Sequence, residues 1–305
     1  MSGITHEMPP PTRQQVANGV TRRDFLAGAA AIAAGITLNA GLIARHTIDL
    51  VSQTLPINRL PDAFHGFRII QLSDIHLDEF TEPAFLKLVL YRINQLAPDL
   101  VLLTGDFASY GPLPLSYSRK SILRCADILK ALACPQRFAI LGNHDTTIGS
   151  RFVVAALAAS NIPTLVNSYV PIERGNQRFW LGGVDDPGTS YPILDLAVPQ
   201  HPDGPVILMA HPPDFADAVA QHPRGPLVDV MLSGHTHGGQ VCLPFLGPLV
   251  LPPMGKKYVA GLFRFNQMQL YVNRGIGTTG VPFRLNCPPE ITLLTLQPAK
   301  SSTAS

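Results

Sequence analysis

Two histidines separated by a single residue follow an apolar, strand-like run in the second half of the chain. Residues 228–240 read V-D-V-M-L-S-G-H-T-H-G-G-Q and include His235 and His237. Neutral imidazole is the side chain that most often binds metal ions in proteins. Because residues i and i+2 of an extended backbone point the same way, the pair predicts one half of a metal site.

Four other apolar runs also end at residues that can bind a metal ion through a carboxylate, amide or imidazole group. Together the five exits supply seven candidate ligands: Asp74, His76, Asp106, Asn143, His211, His235 and His237. Seven side chains are too many for one ion that must keep a position open. The pattern therefore predicts two ions about 3.5–4 Å apart that share one carboxylate, a clamp suited to displacement at phosphorus by a bridging hydroxide.

Strands and helices alternate between these exits. The apolar patterns predict strands at residues 67–73, 100–104, 137–141, 206–210 and 228–233, and helices at 83–96, 118–132 and 152–160. Such alternation predicts an α/β core with mainly parallel strands. In open α/β sheets, ligands bind beyond the carboxyl ends of the strands, which is where all seven candidates lie.

The order of the motifs, D-x-H, G-D, G-N-H-D, an isolated His and G-H-T-H, resembles that of the calcineurin-like metallophosphoesterase family over residues 67–296. The resemblance implies a four-layer αββα sandwich of two mixed β-sheets flanked by helices. It implies one ion held by Asp74, His76, Asp106 and His237, and a second held by Asp106, Asn143, His211 and His235. It also implies that His144 does not bind metal, and instead stabilises the transition state or protonates the leaving oxygen.

Two further segments distinguish branches of the family. Residues 105–110, G-D-F-A-S-Y, lack the second Asp and the Arg of the phosphoprotein phosphatase motif G-D-x-x-D-R-G, so the partner that orients His144 stays open. Residues 275–290 instead resemble the G-x-G…R…P-E closing segment of an exported phosphodiesterase branch. That resemblance makes Arg284 a candidate substrate contact, since guanidinium binds phosphate well, with a fold-stabilising arginine as the alternative.

The N-terminal segment resembles a twin-arginine export signal. Residues 21–26 read T-R-R-D-F-L, and residues 25–44 carry no charge. We predict a signal peptide or N-terminal anchor at 1–44, a metallophosphoesterase domain at 45–300 and a polar tail at 301–305. The predicted location is the periplasm or the outer face of the cytoplasmic membrane, and the twin-arginine export machinery is a predicted partner. Cleavage stays open, because the segment contains no clear A-x-A site.

Composition excludes several other classes. The formal charge of +2 over 305 residues leaves no electrostatic footprint for nucleic acid or an anionic membrane surface. The four cysteines show no C-x-x-C spacing, which argues against zinc-ribbon and thioredoxin-like sites, and their pairing stays open.

These observations predict an exported, dinuclear phosphoesterase that hydrolyses a phosphodiester or pyrophosphate bond, with a lipid-linked molecule among the candidate substrates. The mixed nitrogen and oxygen ligands suit Mn, Fe or Zn. The alternatives are a phosphomonoesterase and a non-catalytic, metal-dependent envelope protein that binds phosphate polymers. The non-ligand imidazole of His144 beside Asn143 favours the enzyme, because a structural site has no need of it.

Overall fold

The computed structural model describes residues 21–265 and 267–299. The predicted tail at 301–305 and the part of the predicted signal before Thr21 lie outside the described residues. The helices are α1 Arg22–Leu38, α2 Pro83–Leu96, α3 Leu115–Leu129, α4 Asn143–Ala158, α5 Leu194–Ala197 and α6 Ala216–Gln221. The first strands are β1 Asp49–Ile57, β2 Arg68–Leu72, β3 Leu100–Leu103, β4 Arg137–Ala139, β5 Ser168–Arg174, β6 Gln177–Gly183 and β7 Val206–Met209. The others are β8 Val230–Ser233, β9 Cys242–Leu243, β10 Gly247–Pro248, β11 Gly261–Phe265, β12 Met268–Val272 and β13 Glu290–Pro298.

The first of two compact units ends at Leu38 and contains helix α1. Thr21 caps this helix, because its Oγ1 accepts from the N–H of Asp24 at 3.1 Å and its own N–H donates to the Asp24 carboxylate at 3.2 Å. The helical run Arg22–His46 is long and apolar enough to cross a membrane, by length and composition alone. Signal sequences share these properties.

The second unit begins at Asn39 and is built on two mixed β-sheets. The first sheet has the order β1-β13-β2-β3-β4, in which β13 and β2 are antiparallel and the other neighbours are parallel. The second has the order β11-β12-β8-β7-β6-β5, with β12, β8, β7 and β6 mutually parallel. A two-stranded ribbon, β9 and β10, follows the second sheet's β8 in the chain.

Three apolar layers hold the second unit together. Ile69 and Leu102 of the first sheet pack against Ile207 and Leu232 of the second in a shared central layer. Helices α2, α3 and α4 cover the outer face of the first sheet, while α5 and α6 cover that of the second. This is the αββα sandwich that the motif order implied.

Most sequence-predicted elements lie within a few residues of the observed ones, but the third helix differs. It begins at Asn143 rather than at Phe152, and it contains a kink at Gly149, where φ is 129°. The apolar periodicity is clear only after this kink, which explains the late predicted start. As a result, Asn143 and His144 lie in the first turn of a helix and not in an extended loop.

Candidate metal centre

Parallel strands of both sheets end at the same place and bring their polar exits together. Exits of β2 and β3 in the first sheet lie opposite exits of β7 and β8 in the second. Three groups of ligand atoms each fall within 4.8 Å: Asp74, His76 and His237; His76, Asp106 and His144; and Asp106, His211 and His235. Six of the seven sequence-predicted ligands thus fall in two of these groups.

Asp106 belongs to the group of His211 and His235 and also approaches His76 of the other group. Its Oδ2 is 3.1 Å from Nε2 of His211 on one side and 3.6 Å from Nε2 of His76 on the other. Its Oδ1 accepts from the backbone N–H of His144 at 2.9 Å. A carboxylate in this position can contribute to two ions at once.

The backbone at the centre is unusual, since five of the seven candidates have a positive φ. The angles are 49° at Asp74, 45° at His76, 58° at Asp106, 73° at His235 and 51° at His237. Non-glycine residues avoid this left-handed region, and such strain is concentrated at functional sites where the surrounding structure enforces it. The sequence argument from an extended backbone was therefore wrong for the two histidines: β8 ends at Ser233, and the pair lies on a turn that directs each ring to a different group.

Two motif glycines are required by close approach to the carboxylates. A Cβ atom on Gly142 would lie 2.2 Å from Oδ1 of Asp106, and one on Gly234 would lie 2.3 Å from Oδ2 of Asp74. Both distances are far inside van der Waals contact. Each glycine therefore allows its loop to close over the carboxylate that the preceding motif supplies.

Each of the four imidazoles is held by one ring nitrogen, which leaves the other free to face the carboxylates. Nδ1 of His76 lies 2.7 Å from Oγ of Ser109, and Nδ1 of His211 lies 2.7 Å from the carbonyl oxygen of Thr104. The remaining contacts are Nε2 of His235 to the Pro253 carbonyl at 2.8 Å and Nδ1 of His237 to the Gly277 carbonyl at 3.3 Å. Outer partners of this kind fix the orientation and tautomer of metal-binding histidines.

Two features of the centre fit a divalent ion better than an internal hydrogen-bond network. The buried Oδ1 of Asn143 has no hydrogen-bond partner among the described residues, although buried amide oxygens are normally paired. Nε2 of His76 and Nε2 of His237 lie 3.1 Å apart and face each other. Each neutral ring donates through Nδ1, so the lone pairs of the two Nε2 atoms face each other and repel. A bound cation would remove this repulsion.

The protonation preferences agree with this donor set. Burial, reinforced by the nearby His144 ring, lowers the pKa of His76 well below its usual value, and burial lowers that of His237 to about 4. Burial disfavours a charged His211 too, but the carboxylates of Asp106 and Asp74 outweigh it and raise the pKa of that ring well above its usual value. A metal ion and a proton therefore compete for His211.

The structure supplies the orienting partner of His144 that the sequence left open. The backbone N–H of Tyr110 donates to Nδ1 of His144 at 2.8 Å. A nitrogen that accepts a hydrogen bond carries no proton, so the neutral ring bears its proton on Nε2. The ring lies edge-on to His76, with 4.8 Å between centroids, which places a hydrogen-bond donor beside the ligand cluster.

Asp145 stabilises the centre without facing it. This fully buried carboxylate accepts from the N–H groups of Asp106 at 2.7 Å, Phe107 at 3.0 Å and Gly142 at 2.9 Å. It therefore joins the G-D loop to the start of α4. Its bond to the Gly142 N–H caps the first turn of the helix. Burial and the charge of Asp106 raise the pKa of Asp145.

Ser109 and Glu79 extend the support of His76 and were not identified from the sequence as part of the site. Oγ of Ser109 donates to Oε2 of Glu79, whose Oε1 accepts from the N–H of Gly280 at 2.9 Å. The chain of contacts from His76 through Ser109 to Glu79 orients a metal-facing ring with a carboxylate. The available signal was weak: Ser109 lies three residues beyond Asp106, and Glu79 three residues beyond His76.

The structure contradicts the predicted substrate contact at Arg284. Its side chain is fully buried, with 0% exposed, and its guanidinium donates to the carbonyls of Arg274, Gly275, Gly277 and Cys287 at 2.6–3.1 Å. These carbonyls lie in the segment that packs against Asp74, because a Cβ atom added to Gly275 would lie 2.6 Å from the Cβ atom of Asp74. Arg284 therefore stabilises the loop behind the centre, as the alternative reading had it.

Comparison with known proteins agrees with the geometry. Residues 67–239 match the family described as Calcineurin-like phosphoesterase. The chain is 33% identical to the uncharacterized metallophosphoesterase YkuE of Bacillus subtilis, over 91% of this chain and 98% of that protein. It is 32% identical to the phosphodiesterase YaeI of Escherichia coli, over 91% and 99%. It is 29% identical to the UDP-2,3-diacylglucosamine pyrophosphatase LpxG of Chlamydia muridarum, over 77% and 86%. The chain therefore belongs to the calcineurin-like phosphoesterase family and is a metal-dependent phosphoester hydrolase.

Proposed function

We propose that the protein is an exported enzyme that hydrolyses a phosphodiester or pyrophosphate bond at two divalent metal ions. The observation that carries the proposal is the shared orientation of four imidazoles. Each is anchored through one nitrogen to an outer partner, and each directs the other toward Asp74 or Asp106. Two relatives named for phosphodiesterase and pyrophosphatase activity support the reaction class.

In this proposal, the two ligand groups hold one ion each. Asp74, His76 and His237 would hold the first, while His211, His235 and Asn143 would hold the second, with Asp106 shared. The mixed nitrogen and oxygen donors suit Mn, Fe or Zn. When bound, two such ions lower the pKa of water to supply the nucleophile and neutralise charge on the phosphoryl oxygens.

His144 would act as a hydrogen-bond donor toward the leaving oxygen. Its Nδ1 accepts from the Tyr110 N–H, which leaves Nε2–H as the group that can face substrate. Donation to oxygen that gains charge in the transition state lowers the barrier more than it stabilises the bound substrate. This assigns His144 a role separate from the metal ligands.

The charge at the reacting phosphorus favours a diester or pyrophosphate over a monoester. A phosphomonoester dianion carries more charge at the reacting phosphorus, and arginine is the usual residue that balances it. The arginine offered by the sequence, Arg284, is buried among backbone carbonyls. A phosphomonoesterase and a non-catalytic phosphate-binding protein are the outcomes that the experiment below separates.

Export is part of the same proposal. Paired Arg22 and Arg23 precede an uncharged stretch in a helical run long enough to serve as a signal or an anchor. We therefore propose that residues 1–44 direct twin-arginine export and that residues 45–300 act in the periplasm or at the outer face of the cytoplasmic membrane.

The test uses the full chain, stripped of metal and titrated with Mn²⁺. Hydrolysis of bis(p-nitrophenyl) phosphate is compared with that of p-nitrophenyl phosphate. We expect Mn²⁺-dependent cleavage that favours the diester, with a loss of about 10²–10⁴-fold in His144→Ala at unchanged Mn²⁺ content. The matched control is His201→Ala, which changes an exposed histidine outside the motifs.

Each alternative gives a different result. Faster monoester cleavage would favour the phosphomonoesterase. Bound Mn²⁺ without turnover of either ester would favour the binding protein. Wild-type turnover in His144→Ala would remove His144 from the mechanism while leaving the metal centre in place.

A further inference from the structure

A cavity of about 540 Å³ opens directly beside the metal centre. Its inner wall is the turn that carries the histidine pair, including Thr236 and His237, and its outer wall is formed by Val241, Leu249 and Val281. The volume falls in the range of about 300–1,000 Å³ that is typical of small-molecule sites. Because His237 belongs to the ligand cluster, a molecule with its phosphate at the centre can extend into this cavity.

The cavity is almost entirely apolar. Residues 241–255 and 275–283 form most of the walls, and neither segment contains Asp, Glu, Lys or Arg. The one ionisable side chain in the lining, His237, is buried and contacts the Gly277 carbonyl through Nδ1. The cavity therefore offers no counter-charge to a sugar phosphate, a nucleotide or an acidic polymer, and it suits an aliphatic group.

The walls are held in place by polar contacts behind them. The side chain of Gln240 accepts from the N–H of Thr279 at 3.0 Å and donates to the carbonyls of Thr279 and Val281 at 3.1 Å. The N–H of Leu249 donates to the carbonyl of Val241 at 3.0 Å. These bonds tie the two walls to the turn after His237, so the cavity exists before any ligand enters.

The rim of the cavity exposes large apolar side chains to solvent. Phe245 at the tip of the β9–β10 ribbon is fully exposed, and Leu246, Leu249 and Val250 are each more than half exposed. Contiguous exposed apolar surface marks a contact with a membrane or another protein.

The first residues of the second unit indicate whether the rim contacts a membrane or another protein. The second unit begins at Asn39, and its first residues pack against the segment that continues from Val281. The N–H of Arg284 donates to the carbonyl of Ala40 at 3.1 Å, and a Cβ on Gly41 would lie 2.9 Å from the Phe283 ring. The chain therefore enters this unit next to the segment that follows the cavity wall, at the end of a run that is long and apolar enough to cross a membrane.

We propose that this cavity, the acyl cavity, binds the hydrocarbon chain of a membrane-resident phosphate ester whose phosphate lies at the metal centre. The proposal rests on the proposed function and narrows its substrate to an acyl-bearing diester or pyrophosphate. In this proposal the exposed ribbon tip contacts the bilayer surface. The hydrocarbon chain of the substrate then passes from the lipid into the cavity without crossing water. A lipid is favoured over a protein partner for two reasons: the apolar run enters this unit at Ala40 and Gly41, next to the cavity wall, and the walls carry no charge.

The test uses two substrates with the same reacting centre, p-nitrophenyl methyl phosphate and p-nitrophenyl octyl phosphate. The full chain is held in lipid nanodiscs with Mn²⁺, and kcat/KM is measured for both. We expect the octyl ester to be preferred by at least about tenfold, since each methylene removed from water contributes several-fold. Leu249→Glu should reduce this preference at least about fivefold. Leu196→Glu is the matched control, because Leu196 on α5 is 54% exposed and Leu249 is 57% exposed, and it should keep the preference.

A second measurement does not depend on turnover. Binding of octylphosphonate and methylphosphonate, whose C–P bonds resist hydrolysis, is compared by calorimetry in the same three proteins. We expect octylphosphonate to bind at least about tenfold more tightly to the wild type and the control, but not to Leu249→Glu.

The outcomes separate the two proposals. Hydrolysis of both esters at equal rates, with equal phosphonate affinities, leaves the enzyme in place and overturns the acyl cavity. That result would also point to a protein partner at the exposed rim. Absence of all hydrolysis overturns the proposed function, and the phosphonates then decide whether the cavity binds a hydrocarbon chain.

Discussion

Asp145 is the acceptor that joins the loop of Asp106 to the first turn of α4, and its removal should be costly. Three buried N–H groups, those of Asp106, Phe107 and Gly142, donate to its carboxylate. Each buried donor left without an acceptor costs about 1–3 kcal/mol. Allowing for water that enters the vacated space, Asp145→Ala should lower the free energy of unfolding by about 3–6 kcal/mol. That is a large part of the roughly 5–15 kcal/mol typical of a folded protein.

The assay is urea unfolding of the metal-free full chain, followed by circular dichroism. With a slope of about 3 kcal/mol per molar urea, the midpoint should fall by about 1–2 M in Asp145→Ala. Asp145→Asn keeps one acceptor oxygen and should fall between that variant and wild type. Asp127→Ala is the control, because the carboxylate of this exposed aspartate pairs with the nearby Lys130 at the end of α3. A midpoint for Asp145→Ala within experimental error of the control would refute the capping account.

Two further predictions concern residues around the centre. Glu79→Gln should weaken Mn²⁺ binding about 10–100-fold, because it alters the carboxylate that orients Ser109 and, through it, His76. Calorimetric titration measures the Mn²⁺ affinity, and an unchanged affinity would show that Glu79 does not act on His76 through Ser109. Arg284→Lys should lower the urea midpoint while leaving KM for a diester unchanged, because the residue binds carbonyls and not substrate. A raised KM at wild-type stability would instead restore the substrate contact.

Strand exits were predictable from the sequence because residue type and position coincide there. An apolar run that ends in Asp, Asn or His predicts both a strand and a metal ligand. The structure places six of the seven candidate ligands in two groups. The local backbone was not predictable in the same way. His235 and His237 follow a strand, but left-handed φ angles at both remove the extended geometry that the spacing suggested.

The outer partners of the ligands left almost no trace in the sequence. Thr104, Pro253 and Gly277 act through backbone carbonyls, and Tyr110 acts through its N–H, so their side chains carry no signal. Arg284 shows the opposite case, in which a side chain suited to phosphate is directed inward by the fold. The acyl cavity also depends on tertiary structure, since its walls come from segments about 30 residues apart.

The central claim is that two ions share Asp106, and the most direct measurement is the number of Mn²⁺ ions bound per chain. Metal content after equilibrium dialysis is determined by mass spectrometry for wild type, Asp106→Asn and the control Asp127→Asn. The account predicts two ions per chain in the wild type and the control, and loss of both in Asp106→Asn. A single ion in the wild type, or full occupancy in Asp106→Asn, would contradict it.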